Sequence, residues 1–397
     1  MKEKALVRIF VAGILALALY FNLYFIYTAS TDGIMSLLTT GVNVSDAMKV
    51  VEDTTGSYYN KLIKSKRDIS TYARVGAFID IYGLVQKVLN NNLVTAEDSN
   101  QSVVRLTDGH LIFGENQNKK DFSEQARSIK DFSEWLANND IDFLFAKAPS
   151  KEINKDHAPA GFEVPPDSTN DLILESLIEE NINYLDLRKN PKLDKDVSNW
   201  HYFTDHHWTT ETALLSAGYL IEEINKAYKY GLDPSPLMPD KFTTELHEDI
   251  FLGSSGKKVG NYYCGRDDYE IILPKEKNDF YFEFTHESGE VERRSGDFES
   301  TFVFRENLKK DYYYTNTYCV YMGGDYPISI IKNNSLDKGK RILILKDSYA
   351  NAALPFLAMV FKEITVIDPR YFQDSVKEYI QESNPDMVLM LYSSKLF

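Results

Sequence analysis

The chain has 397 residues, enough for one large domain or two to three smaller ones at roughly 100 to 200 residues each. With 43% hydrophobic and 26% charged residues it has the make-up of a globular protein, which excludes disorder, a collagen-like repeat and a polytopic membrane protein. Its 44 basic and 59 acidic residues give a formal charge of -15, a field that would repel a phosphate backbone, so nucleic acid is excluded as a partner.

Residues 1–8 carry Lys2, Lys4 and Arg8 against Glu3, and residues 9–27 then run without a charge. At about 1.5 Å per residue such a helix covers close to 30 Å, the thickness of a bilayer core. Tyr20, Tyr24 and Tyr27 stand toward its outer end as an aromatic belt would. The basic flank predicts a cytoplasmic segment 1–8, a single-pass signal-anchor over 9–27 and an extracytoplasmic remainder. A cleaved signal peptide is the competing reading, because Thr28-Ala29-Ser30 offers small residues, although signal cores are shorter. Cys264 and Cys319 would then lie where a disulfide is permitted, and their spacing fits no zinc motif.

Residues 28–100 read as a helical stalk or cap, with Val75, Phe78, Ile79, Tyr82, Val85 and Leu89 at helical spacing. Asp108-Gly109 between two apolar runs predicts a hairpin and the entry to a globular domain over 101–397. From about residue 120 helices alternate with short apolar runs, the pattern of a parallel sheet with crossover helices. Five strands are predicted at 141–146, 183–187, 341–345, 363–367 and 386–391. Helices are predicted at 122–138 and 171–180, after Trp208 with the stripe Ala213, Leu214, Ala217, Leu220, Ile221 and Ile224, and near Ala350 and Ser375. Between about 236 and 338 the alternation gives way to a β-rich insertion biased toward Tyr and Phe, including Phe280 to Phe284 and Tyr312-Tyr313-Tyr314.

Two segments carry candidate chemistry. Lys346-Asp347-Ser348-Tyr349-Ala350-Asn351 places a serine after a buried strand and before a helix, at the carboxyl edge of the sheet where α/β ligand sites form. The same Asp-Ser pair also suits a helix cap. His201, Asp205, His206 and His207 crowd one short loop, although the chain has only seven histidines. A serine nucleophile needs a base and a carboxylate to orient it, which Ser348, His207 and Asp205 supply together. An alternative assigns His201, Asp205, His206 and His207 to a zinc or manganese ion. A third reading is a catalytically silent glycan-binding or assembly protein.

Thr204-Asp205-His206-His207-Trp208-Thr209 resembles the signature of the DHHW protein family, which is similar to the SGNH-hydrolase-like domain of extracytoplasmic alginate O-acetyltransferase proteins. The resemblance extends to Asp108-Gly109-His110-Leu111-Ile112-Phe113 and to the order of motifs, with Asp-x-His before the serine. It implies an SGNH-like, flavodoxin-like α/β fold, with Asp205 as orienting acid, His207 as base and Ser348 as acyl-accepting nucleophile. It also implies no cofactor, a cell-surface glycan acceptor, and a membrane-bound acyl exporter or acyltransferase as partner. An SGNH-type carbohydrate acetylesterase has the same chemistry with water as acceptor. This chain has Lys346 where the family usually has Gly before Asp-Ser. The backbone N–H of Ser348 is the expected oxyanion donor, and Asn351, Arg370, Tyr349 and His206 are the candidates for substrate binding.

Overall fold

The computed structural model describes residues 74–95, 102–114, 121–153, 155–162, 164 and 168–393. The run 9–27 and most of the segment 28–100 lie outside the described residues. Among the described residues no helix is long and apolar enough to cross a membrane.

Helix α1 (Arg74–Val88) leads into a small antiparallel sheet of β1 (Leu93–Thr95), β2 (Ser102–Arg105) and β3 (Leu111–Gly114). The turn from β2 to β3 passes through Gly109 at φ +98°, a conformation in which a Cβ is disfavoured. The segment read as stalk therefore includes a strand paired into this sheet. Of the periodic apolar set, Phe78, Tyr82 and Leu89 are exposed, whereas Ile79 and Val85 are half-buried. Gly76 and Gly83 turn inward instead, and a Cβ on Gly83 would fall 2.0 Å from the Val259 carbonyl oxygen.

The main sheet has eight strands. Helix α2 (Ser123–Ala137) precedes β4 (Asp142–Lys147), helix α3 (Thr169–Glu179) precedes β5 (Tyr184–Asp186), and the long helix α4 (Thr210–Tyr228) follows. The insertion supplies the ribbon β6 (Phe242–Phe251) and β7 (Asp267–Pro274), then β8 (Phe280–Thr285), β9 (Val291–Gly296) and β10 (Ile328–Asn333). The chain closes with β11 (Arg341–Lys346), β12 (Glu363–Ile367), helix α5 (Val376–Ser383) and β13 (Met387–Tyr392). The order across the sheet is β5-β4-β13-β11-β12-β10-β8-β9. The first five strands are parallel and coincide with the five expected from sequence; β10, β8 and β9 add on antiparallel. The insertion is thus partly continuous with the sheet. Tyr312 to Tyr314 form a turn, not a strand, because the Tyr313 hydroxyl is held by the Asp80 carboxylate of α1.

Alternation along the strands divides the core between the two faces. Leu343, Leu345, Val388 and Met390 pack with Ala126 and Ile129 of α2 and Leu177 of α3. Ile342, Ile344, Leu389 and Leu391 pack with the α4 stripe and the aromatic residues of the insertion. Thr209 caps α4 by accepting the Thr212 N–H, so the helix starts two residues after Trp208. Lys147, Asp186, Lys346 and Asp368 all mark the carboxyl edge of the parallel strands.

Gly83→Ala is expected to cost about 1–3 kcal/mol through overpacking against Val259. Urea unfolding checks this: its midpoint should fall well below that of Ala77→Gly on the exposed side of α1, which removes no packing partner.

Candidate active site

The loop after β5 folds back on itself. His201 and Trp208 form an isolated antiparallel bridge, with the Tyr202 N–H donating to the His207 carbonyl at 3.2 Å. At its tip Asp205 precedes His207 by two residues, the spacing of an Asx turn. Oδ1 of Asp205 accepts the His207 backbone N–H at 2.9 Å and lies 2.5 Å from His207 Nδ1. Oδ2 accepts the Ser254 N–H at 2.6 Å. With its Nδ1 proton on Asp205, His207 presents Nε2 as an acceptor, 2.8 Å from Ser348 Oγ. Asp205, His207 and Ser348 therefore form one continuous hydrogen-bonded relay, across 141 residues of sequence between base and serine.

Burial alone would raise the Asp205 carboxyl, but the neighbouring imidazoles of His207 and His206 and the hydrogen bonds from His207 and Ser254 outweigh it and hold Asp205 well below the usual carboxylate range. The carboxylate is thus ionised whenever the enzyme is folded at ordinary pH.

Two charged groups, the buried Asp267 and the half-buried Lys151, hold the loop from beneath. Asp267 at the start of β7 accepts the N–H of Phe203 at 2.5 Å and the N–H of Thr204 at 2.8 Å, and also takes the Thr204 hydroxyl. The Lys151 ammonium donates to the carbonyls of Tyr202 at 2.6 Å, Phe203 at 2.9 Å and Asp205 at 2.9 Å. Gly253 passes so close that a Cβ there would lie 2.3 Å from the Asp205 Cβ. No side chain fits at that position without moving the acid.

The nucleophile is positioned by its neighbours. Asp347 accepts the Tyr349 N–H at 3.0 Å through one oxygen and the Ser393 N–H and hydroxyl, each at 2.9 Å, through the other. Ser348 opens the helical turn Ser348–Ala352, where the first N–H groups lack an intrahelical acceptor. The Ser348 N–H is accordingly the backbone donor closest in sequence to the reacting hydroxyl. The Tyr318 ring stacks on His207 with centroids 3.7 Å apart and planes 12° off parallel. Trp208 Nε1 and the Tyr318 hydroxyl both donate to the Tyr349 carbonyl, at 2.9 and 2.8 Å. Trp208 is completely buried and serves as packing around the base.

The expected substrate-binding residues divide. His206 stays beside the relay, its ring 3.8 Å from that of His207, its Nδ1 2.7 Å from Ser254 Oγ, and its side chain 39% exposed. Burial of part of the ring and the neighbouring His207 lower its pKa, so it is neutral. Tyr349 is buried and gives its hydroxyl to the His206 carbonyl. Asn351 is buried and donates to Asp325 at 2.8 Å while accepting from Lys346 at 2.8 Å. Arg370 grips Asp368 through two nitrogens and reaches Asp325 at 3.0 Å. The polar groups of Asn351, Tyr349 and Arg370 thus work within the protein, in support of the serine turn. Lys346, the residue standing where glycine is usual, is the centre of this cluster, bonded to Asp325 at 2.5 Å and 3.3 Å from Asp368. Burial would raise Asp325, but Lys346, Arg370 and Asn351 bring it down to about 2.

Among the described residues, Asp205, His206 and His207 are the one group of such side chains close enough to share a metal ion. The donor set does not fit that use, because both His207 nitrogens and both Asp205 oxygens already have partners in the relay. His201 stands apart, with Nε2 3.0 Å from the Pro149 carbonyl. Cys264 and Cys319 are free thiols, not a disulfide, each pushed up to about 12 by burial.

Sequence reasoning missed Ser254, Asp267, Lys151 and Tyr318. Gly253-Ser254-Ser255-Gly256 carries a turn signal that marks a close backbone approach, whereas the other three have no local signature.

Residues 110–248 match the family model described as SGNH hydrolase-like domain, acetyltransferase AlgX. The fold is SGNH hydrolase-like. Bacillus cereus PatB1 superposes with a TM-score of 0.62 at 23% identity, over 74% of this chain and 96% of that one. The same protein has been solved with a sulfonyl adduct, with a TM-score of 0.61 at 22% identity over 75% of this chain and 96% of that one. A DHHW family protein from Eubacterium siraeum superposes with a TM-score of 0.57 at 21% identity, over 76% and 93%. No curated protein matches the sequence. The SGNH-like domain match covers the Asp205 and His207 loop and ends before Ser348, which the fold supplies.

Burial lowers His201 from 6.5 to about 3, so below pH 6.5 the unfolded chain binds a proton that the folded chain refuses. Stability tied to His201 is present above pH 6.5 and is lost as pH falls toward 3. The unfolding free energy from urea titration should drop between pH 7.5 and 5 by about 2 kcal/mol on this account, a share that His201→Gln removes from the pH dependence.

Gly253→Ala should displace Asp205 and lower ester turnover by about 10² or more. Asp205→Asn, which keeps the shape but favours the wrong imidazole tautomer, should lower it by about 10⁴. Both are measured on an activated acetyl ester, with near-native circular dichroism.

Proposed function

We propose that this chain is a membrane-anchored, extracytoplasmic serine O-acyltransferase that acetylates a cell-surface polysaccharide through an acyl-Ser348 intermediate. The observation that carries the reading is the unbroken Asp205–His207–Ser348 relay at the carboxyl edge of an SGNH-like sheet. The match to an acetyltransferase domain model supports the choice of group. A polysaccharide acceptor, the outward topology and acyl supply by a membrane-bound partner follow from the resemblance and from the apolar run 9–27.

His207 Nε2 takes the hydroxyl proton as Ser348 Oγ attacks the acyl carbonyl, and the Ser348 N–H faces the developing oxyanion. Collapse of that intermediate breaks the bond to the leaving group, which receives the proton from His207. A sugar hydroxyl then loses its proton to His207, attacks the acyl-serine and departs as the ester, returning the proton to Ser348. Asp205 balances the imidazolium in both halves without accepting a proton. Water at the second step gives the acetylesterase reaction, so what reaches the acyl-enzyme decides between the two. His206 and Ser254 stand beside the relay where the acceptor would approach.

A serine-directed fluorophosphonate is expected to add once to the full chain in detergent, by intact mass, with ester turnover lost in parallel. Ser348→Ala should show neither adduct nor turnover. An adduct that persists in Ser348→Ala removes the assignment of the nucleophile. Surface-glycan acetylation that survives His207→Ala in cells removes the transferase reading.

A further inference from the structure

Helix α1 docks by its small residues and leaves its large ones outside. Gly76 lies against the Tyr313 ring and Gly83 against the Val259 carbonyl, while the Asp80 carboxylate turns inward to the Asn261 N–H at 2.6 Å and the Tyr313 hydroxyl at 2.5 Å. At 3.6 residues per turn, Phe78, Ile81 and Val88 fall within about 80° of one another, on the side away from the two glycines. Phe78 is 59% and Val88 55% exposed, and Leu89 and Leu93 continue the apolar surface. Scattered exposed leucines need no explanation, but a contiguous apolar stripe on one helix does.

Charge narrows the occupant. The chain is acidic overall, at -15, yet the single acid of α1 is the inward Asp80, and Lys87 falls on the side of the two glycines. The outward face is therefore apolar and carries no acid of α1, which suits contact with the apolar boundary of a bilayer. Position along the chain agrees. α1 is the first described element, and 46 residues, 28–73, separate it from the apolar run 9–27.

We propose that the outward face of α1, centred on Phe78, Ile81 and Val88, is a lipid-contacting surface that rests the catalytic domain on the outer leaflet. The inference depends on the reading of residues 9–27 as a membrane anchor. An apolar face of this kind sinks about 5–10 Å into the boundary between headgroups and acyl chains. Contact is apolar, since the remaining surface is repelled by anionic lipid. The consequence is a fixed height and tilt of the Ser348 cleft above the membrane.

The test places a fluorophore at that depth. Full-length Phe78→Trp and, as a control on the sheet-edge strand β9, Val291→Trp are reconstituted in phosphatidylcholine nanodiscs with or without lipids brominated near the headgroup. The added emission of Phe78→Trp should lose at least half its intensity on brominated lipid, and that of Val291→Trp should be unchanged. A chain that is retained in the discs with Phe78→Trp unquenched overturns the lipid-contacting face and leaves the anchor standing. A chain that fails to enter the discs overturns the anchor, and the proposal with it. Self-association in the discs that Phe78→Glu abolishes, with no quenching, assigns the face to a second copy instead.

Discussion

The buried carboxylate of Asp205 is the constraint around which the site is arranged. A lone charge in a low-dielectric interior is costly unless every lone pair is met, and here the partners come from three directions. His207 supplies its own N–H and ring, and Ser254 supplies a backbone N–H from the insertion. For those donors to converge, the loop must hold one shape, which explains the ammonium of Lys151 and the carboxylate of Asp267 beneath it. The half-buried Lys151 and the buried Asp267 both settle by bonding to backbone. Burial lowers Lys151 to about 8 against the opposing pull of Asp267 and Asp205, and raises Asp267 to about 6. The acid, its lysine and its second carboxylate form one electrostatic unit, and loss of any member leaves the others uncompensated.

A second buried cluster does for the serine what the first does for the base. Lys346 replaces the glycine usual before Asp-Ser, and its long side chain is accommodated because Asp325, Asn351 and Asp368 surround the ammonium. Asp325 comes from the insertion and Asp368 from the end of β12, so the cluster joins the serine turn to two neighbouring segments. Such a network fixes geometry more than it adds stability, since buried ion pairs recover little beyond their desolvation cost.

The fold was largely legible because the parallel strands announce themselves locally, as in Arg341 to Leu345 and Asp386 to Leu391, where buried apolar runs are bounded by charged turns. The relay was legible for a related reason: Asp205 and His207 are two residues apart, and Ser348 follows a strand. What local pattern could not convey was the contribution of residues meeting from far away. Tyr318 stacks on His207 across 111 positions of sequence, and nothing around Tyr318 distinguishes it from the other aromatic residues of the insertion. Helix α1 misled in the opposite sense. Its apolar spacing was genuine, but close approach to the Val259 backbone required glycine, so Phe78, Tyr82 and Leu89 ended outside. Asn351 and Arg370 lay near the serine in sequence, yet the buried Lys346 claimed their polar groups.

The strand order carries one more consequence. The Asp205 and His207 loop follows β5 at one margin, the serine follows β11, and β13, which comes after both in sequence, lies between β4 and β11. The two halves of the relay are thus joined in the sheet by a strand that follows both of them in sequence. Contacts of such long sequence separation form slowly, because the intervening loop must be ordered first. A chain in which β13 has not yet entered the sheet holds its serine and its base as separate, unaligned pieces, and the relay closes only when that strand is threaded into the middle of the sheet.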